Sequence, residues 1–203
     1  MKSDNYEKKQ GIMRAALGLF CTRGFHGTPV PMIAEAADVA TGTIYRYFAT
    51  KEAIANELYC FWKDAFFQSL VADFPEGAPA VTQFAHFWRV LTTFHRDHPL
   101  PFAFLETHFH APYLDPASLV WEDRIIDFAA QFVAGAQRDG WLKTTVSPVV
   151  LVQIVFGIFV MLVKQQALGK LTLTEQDFTE AAGCAWDAVA RHDHQVRFNQ
   201  EGL

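Results

Sequence analysis

Apolar residues recur three and four positions apart along nearly the whole chain, and no stretch alternates apolar with polar between hairpin turns. That spacing gives each segment one apolar helical face, whereas a half-buried strand needs a period of two, so the sequence predicts an all-α fold. With 203 residues, 51% of them hydrophobic, the chain has ample material for a core and is not disordered. Its 9 prolines and 12 glycines are too few for a fibrous or low-complexity chain. The longest run nearly free of polar residues, Val149 to Val163, contains Gln153 and falls short of the roughly 18–20 residues that span a bilayer, so no membrane partner is expected. The start, Met1-Lys2-Ser3-Asp4-Asn5, is polar where a secretory signal is apolar, and Cys21, Cys60 and Cys184 cannot all pair within one chain. Both features predict a reduced, cytoplasmic protein.

Punctuation divides the helices. Asp4 to Glu7 has the spacing of a capping box, and a first helix with Ile12, Ala16, Leu17 and Phe20 on one face stops at Arg23-Gly24. Thr28 is placed to cap a second, whose Pro29 and Pro31 fall where first-turn amides have no intrahelical partner. After the tight connection Asp38-Val39-Ala40, a third helix covers about Thr41 to Phe48, and Thr50 caps a fourth that runs to about Leu70. Asp73 to Pro79 is the clearest linker. It divides an N-terminal domain, 1–50 with the connecting helix 51–72, from a C-terminal domain, 73–203. There the expected helices are 80–97, 101–110, 117–139, 148–168 and 174–191, bounded by His98-Pro99, Ala111-Pro112, Asp115-Pro116, Gly140, Ser147-Pro148 and Gly169. Thr174 to Asp177 again has capping-box spacing.

A net charge of −5 argues at first against a nucleic-acid partner, but the charge is uneven. Met1 to Lys63 holds eight basic residues against six acidic, and the remainder nine against sixteen, as for a nucleic-acid-binding head on an unrelated body. The three short helices of that head fit a helix-turn-helix. At about 100° per residue, Ile44 and Phe48 fall on one side of the third helix and Gly42, Thr43, Arg46 and Tyr47 on the other. A hydroxyl, a guanidinium and a phenol suit phosphate oxygens and base edges, and a glycine lets backbone come close.

Gly24-Phe25-His26-Gly27-Thr28, then Ile33 to Val39, then Thr41-Gly42-Thr43-Ile44-Tyr45-Arg46-Tyr47-Phe48-Ala49-Thr50-Lys51-Glu52-Ala53, resembles the DNA-binding segment of the TetR/AcrR family of transcriptional regulators. The resemblance covers roughly the first 55 residues. It implies phosphate contacts from Thr28, Tyr45, Tyr47 and Lys51, and base contacts from Thr41, Thr43 and Arg46, with Gly42 allowing close approach. Lys51 in a first helical turn opposes the helix dipole, which favours an external anion. Three positions depart from the family pattern: Ala40 for a capping serine, Asp38 for a glycine, and Pro31 for a polar residue.

The resemblance further implies a small-effector site among the helices at 80–139 and a homodimer through the helices at 148–168 and 174–191. Independently, the 148–168 helix is apolar on every face and needs covering, with Phe156, Gly157 and Val160 central and Trp186 and Val189 joining from the last helix. The aromatic content of the central helices suggests a pocket for a small apolar or aromatic effector, lined by Trp88, Phe102, Leu105, Glu106, His108, Phe109, Trp121 and Phe128. Glu106 reads equally well as a surface residue.

Metal sites and cofactors are not expected. On a helix His108 and His110, two apart, point to different sides, and His192 and His194 are expected in a frayed tail after the last helix. No Walker-type glycine loop and no G-x-S-x-G nucleophile elbow occurs in the sequence. The reading is therefore a ligand-responsive regulator, expected to be a repressor on a palindromic operator. A helical binding protein that has lost operator binding is its alternative, and an all-α enzyme lacks a recognisable catalytic constellation.

Overall fold

The computed structural model describes residues 2–109 and 111–191. Among them lie nine helices: α1 (Lys2–Arg23), α2 (Val30–Ala36), α3 (Thr41–Tyr47), α4 (Lys51–Val71), α5 (Ala80–Asp97), α6 (Pro99–Thr107), α7 (Pro116–Arg138), α8 (Pro148–Ala167) and α9 (Glu175–Val189). An isolated antiparallel bridge joins Leu142 to Ala190. The fold is all-α. Packing groups Met1–Asp73 with Val90–Ile125 in one unit, and Phe74–Arg89 with Ile126–Leu203 in a second.

The first unit is built on α1. Its buried stripe of Ile12, Met13, Ala16, Leu17 and Phe20 packs against α2, α4 and α6. Gly24 ends α1 in the left-handed region at φ 69°, and α2 packs on α3 through Ile33, Ala34 and Ile44, all buried. Asp38 turns the chain between α2 and α3 at φ 51°. Short polar side chains tolerate that region best after glycine, which is how an aspartate serves at the position where the resemblance expects glycine. Thr50 caps α4 as expected, its hydroxyl accepting from the Ala53 amide at 3.1 Å.

Several boundaries differ from those expected. Asp4 to Glu7 does not start α1, which begins at Lys2: residues 2–10 hold no glycine or proline to stop a helix, and Glu7, Lys8, Lys9 and Gln10 are good helix formers. Pro29, not Thr28, is the N-cap of α2. Ser147 stands at the N-cap of α8 but caps no amide with its side chain. α6 begins two residues early, because Pro99 and Pro101 both fit in a first turn, and it ends at Thr107.

In the second unit Ala80, Val133, Ala136, Leu142, Leu151 and Val189 form a buried cluster, with Phe132, Val146, Val152, Val155 and Trp186 against it. Aromatic rings extend this core: Phe84 meets Trp88 and Trp186, Phe87 meets Phe128 and Phe132, and Trp88 meets Phe159. Thr174 and Asp177 form the expected capping box at the start of α9. On α8, Leu151, Phe159 and Val163 are buried, while Val150, Ile154, Gly157 and Met161 form an exposed stripe at four- and three-residue spacing. Over 18 residues α8 reaches a mean hydropathy of 2.0 and is long and apolar enough to cross a bilayer, a longer apolar span than the run from Val149 to Val163.

Candidate functional site

The outer surface of α3 is held out by its inner one. Ile44 and Phe48 are buried, and that anchoring leaves Gly42, Tyr45 and Arg46 exposed, with Thr41, Thr43 and Tyr47 half-buried. Ala40 is the N-cap and supplies no capping side chain, so α3 starts at Thr41. A Cβ placed on Gly42 would meet no atom within 4 Å. Thr43, Arg46 and Tyr47 form one wall of an open groove of about 460 Å³, completed by Asp38, Val39 and, from α1, Asn5 and Lys8. Sequence reasoning missed Asn5 and Lys8. They lie seven and four residues before Ile12, on the continuation of the apolar face of α1, and that face turning polar is the signal for them.

Two of the expected phosphate contacts bond within the chain. Thr28 is fully buried, and its hydroxyl donates to the Gly24 carbonyl at 2.8 Å and lies 3.3 Å from that of Leu19. This hydroxyl closes the α1–α2 turn instead of facing outward. Lys51 is half-buried, with its ammonium donating to the Phe25 carbonyl at 2.7 Å and standing 4.2 Å from the centre of the Phe25 ring. It therefore holds the same turn, with the remaining donors of the ammonium unassigned.

The effector candidates separate between the two units. Trp88 and Phe128 belong to the second, where the Trp88 indole donates to the Phe178 carbonyl at 2.9 Å and Phe128 packs on Phe74 and Phe87. The other six belong to the first unit. Phe102, Leu105 and His108 are buried, Glu106 and Trp121 are half-buried, and Phe109 is exposed. Arg124 lies over the faces of Phe67 and Trp121 at 4.8 and 4.4 Å. Three polar groups that the sequence did not single out meet in the first unit: buried Lys63 and the hydroxyl of buried Tyr59 both donate to Oε2 of half-buried Glu122. Burial, followed by the negative charge of Glu122, pushes the Tyr59 phenol far up from its ordinary value. His110, His192 and His194 lie outside the described residues.

An exposed polar helix seated on buried neighbouring helices is the arrangement of a helix-turn-helix. Known proteins agree: the profile of "Bacterial regulatory proteins, tetR family" matches residues 12–58, and that of the "Tetracyclin repressor-like, C-terminal domain" matches residues 63–191. The chain belongs to the TetR family and is a regulatory protein, not an enzyme. Its apolar α8 falls within the matched C-terminal domain. The fatty acid metabolism regulator protein of Bacillus subtilis is 36% identical over 78 residues, 38% of this chain and 40% of that protein. The regulator RutR of Escherichia coli K12 is 47% identical over 47 residues, 23% of this chain and 22% of that one. The matches thus span less than half the length of these curated relatives. A TetR family regulator from Marinobacter aquaeolei VT8 shares the fold, with a TM-score of 0.82 at 23% identity over 95% of this chain and all of that one. So does AibR, solved with isovaleryl coenzyme A and operator DNA, with a TM-score of 0.74 at 19% identity over 88% of this chain and 96% of that one.

Proposed function

We propose that this protein is a cytoplasmic, ligand-responsive transcriptional repressor that binds a palindromic operator as a homodimer and is released by a small, largely apolar effector. The observation that carries the reading is the outer surface of α3, where Gly42, Tyr45 and Arg46 stand exposed beside the groove shared with Asn5 and Lys8. In this reading α3 enters the major groove. Arg46 and Thr43 reach base edges, Thr41 lies beside them at the start of the helix, and Tyr45, Tyr47 and Lys51 contact phosphates. Thr28 is left out of the contact set because its hydroxyl is occupied.

The stripe of Val150, Ile154, Gly157 and Met161 on α8 supports a dimer, and the exposed small residues Gly183, Cys184 and Ala188 of α9 permit close approach. Trp186 and Val189 belong instead to the core within the chain. Two copies of α3 then meet half-sites about one DNA turn apart. An effector can alter that spacing only through its differential affinity for the two states. The relative AibR was solved with a coenzyme A thioester, a polyanion. This chain has four basic residues between 80 and 139, Arg89, Arg96, Arg124 and Arg138, and an apolar, neutral or weakly cationic molecule suits that composition better.

The test is a gel shift with DNA flanking the protein's own gene. Saturable binding that weakens steeply with salt, and a relaxed preference at one operator position in Arg46→Ala, are expected. Specific binding absent at low salt would favour the binding protein without operator affinity.

A further inference from the structure

His108 is 2% exposed, and its two ring nitrogens differ. Nδ1 is hydrogen-bonded to the Tyr113 hydroxyl, whereas Nε2 is buried without a hydrogen-bond partner. The ring lies 4.3 Å from that of Phe104 and 6.1 Å from that of Phe20 by their centres, so its surroundings are largely hydrocarbon. Burial holds the imidazole down to about 4, so it is neutral at physiological pH. Burial also pushes the Tyr113 phenol up to about 12, so that it keeps its proton. A phenol is the stronger acid of the two and a neutral imidazole nitrogen the stronger acceptor, so Tyr113 donates to Nδ1. The imidazole hydrogen then resides on Nε2 as a buried donor with nothing to accept it. Buried donors of this kind are rare and call for a partner.

Tyr113 connects this imidazole to the DNA-binding head. Its ring stacks on Phe25, 3.8 Å between centres and 17° between planes, and Lys51 lies 4.2 Å from the centre of the Phe25 ring. The loop carrying Tyr113 is fixed to α4 by Asn56, whose amide donates to the Tyr113 carbonyl at 2.8 Å and accepts from the Asp115 amide at 2.8 Å and the Ser118 hydroxyl at 2.7 Å.

We propose that the Nε2–H of His108 is the polar anchor of the effector site, bonding the accepting oxygen of an uncharged ketone-, ester- or ether-bearing molecule, and that Tyr113 relays occupancy to Phe25 and Lys51. The proposal rests on the effector-responsive reading above and adds the ligand's chemistry and the residue that reads it. A donor selects an acceptor. The hydrocarbon surroundings disfavour a charged ligand, and Lys63, the buried cation among the described residues, is already paired with Glu122.

The experiment uses the full chain labelled with 15N-histidine and three C8 probes: 2-octanone, octanoate and octylamine. The resting protein is expected to show the Nε2–H tautomer at His108, and 2-octanone to shift that resonance and bind at least tenfold more tightly than either charged probe. His108→Phe should weaken ketone binding at least tenfold, and His108→Gln, which restores an N–H donor, should recover most of it. In Tyr113→Phe, which keeps the stacked ring, the ketone should bind but no longer weaken operator binding. An Nδ1–H tautomer in wild type, an Nε2 resonance unmoved by the ketone, or undiminished ketone binding by His108→Phe each overturns the proposal. The wild-type spectra decide even if the variants fail to fold. Release of the operator by one of the charged probes with Nε2 unmoved would overturn this site and leave the regulator reading standing. Ketone bound at His108 with operator affinity unchanged in wild type would instead overturn the relay and the effector-responsive reading, and leave the anchor.

Discussion

At Gly42 the absence of a side chain serves nothing inside the protein, because a Cβ would find open space. Gly42→Ala should therefore fold normally, with α3 stabilised by about 0.5–1 kcal/mol, while operator affinity falls at least tenfold. Circular dichroism and a gel shift separate the two effects, and equal operator affinity would remove Gly42 from the interface. His108 makes a different prediction. Its folded pKa lies below the unfolded value, so the unfolded chain binds the proton first, and stability present above about pH 6.5 is lost as pH falls toward about 4. Urea midpoints at pH 7 and pH 4.5 should differ less in His108→Phe than in wild type. Outward residues of α3 were legible in the sequence because helical periodicity divides inside from outside. The burial of Thr28 was not, since a hydroxyl that suits a phosphate suits the Gly24 carbonyl equally well.

Elements followed their punctuation where a side chain does the punctuating. Thr174 accepts from the Asp177 amide and Asp177 accepts from that of Thr174, so both ends of the box are closed. Thr174→Ala should cost about 1 kcal/mol, read as a drop in thermal midpoint of about 2–4 °C. An unchanged midpoint would mean that α9 is held by packing alone. Ser147 had similar sequence credentials and caps nothing, because the extended backbone before Pro148 already sets the entry to α8. The anchoring of the loop between α6 and α7 was not legible at all. Asn56 lies 57 residues from Tyr113 in the chain, and no periodicity announces which polar residue of α4 will satisfy a loop that distant. The same holds for Lys63, which is buried against Glu122, 59 residues away in the chain.

For the molecule as a whole, apolar α8 was legible as a helix that needs a cover, but the sequence assigned its partners imperfectly: Val189 and Trp186 turned inward. On the proposed assembly, Ile154→Glu should leave the single chain folded, since Ile154 is 39% exposed there, and should shift sedimentation from dimer to monomer. A dimer of unchanged affinity would place the interface elsewhere. On the same proposed assembly, the exposed stripe of Val150, Ile154 and Met161 makes the folded chain a ligand for its own copy. Its thermal midpoint should climb as the solution is concentrated and sink on dilution, and a stock thinned below the self-association constant would present that apolar face to tube walls and to other unfolded chains.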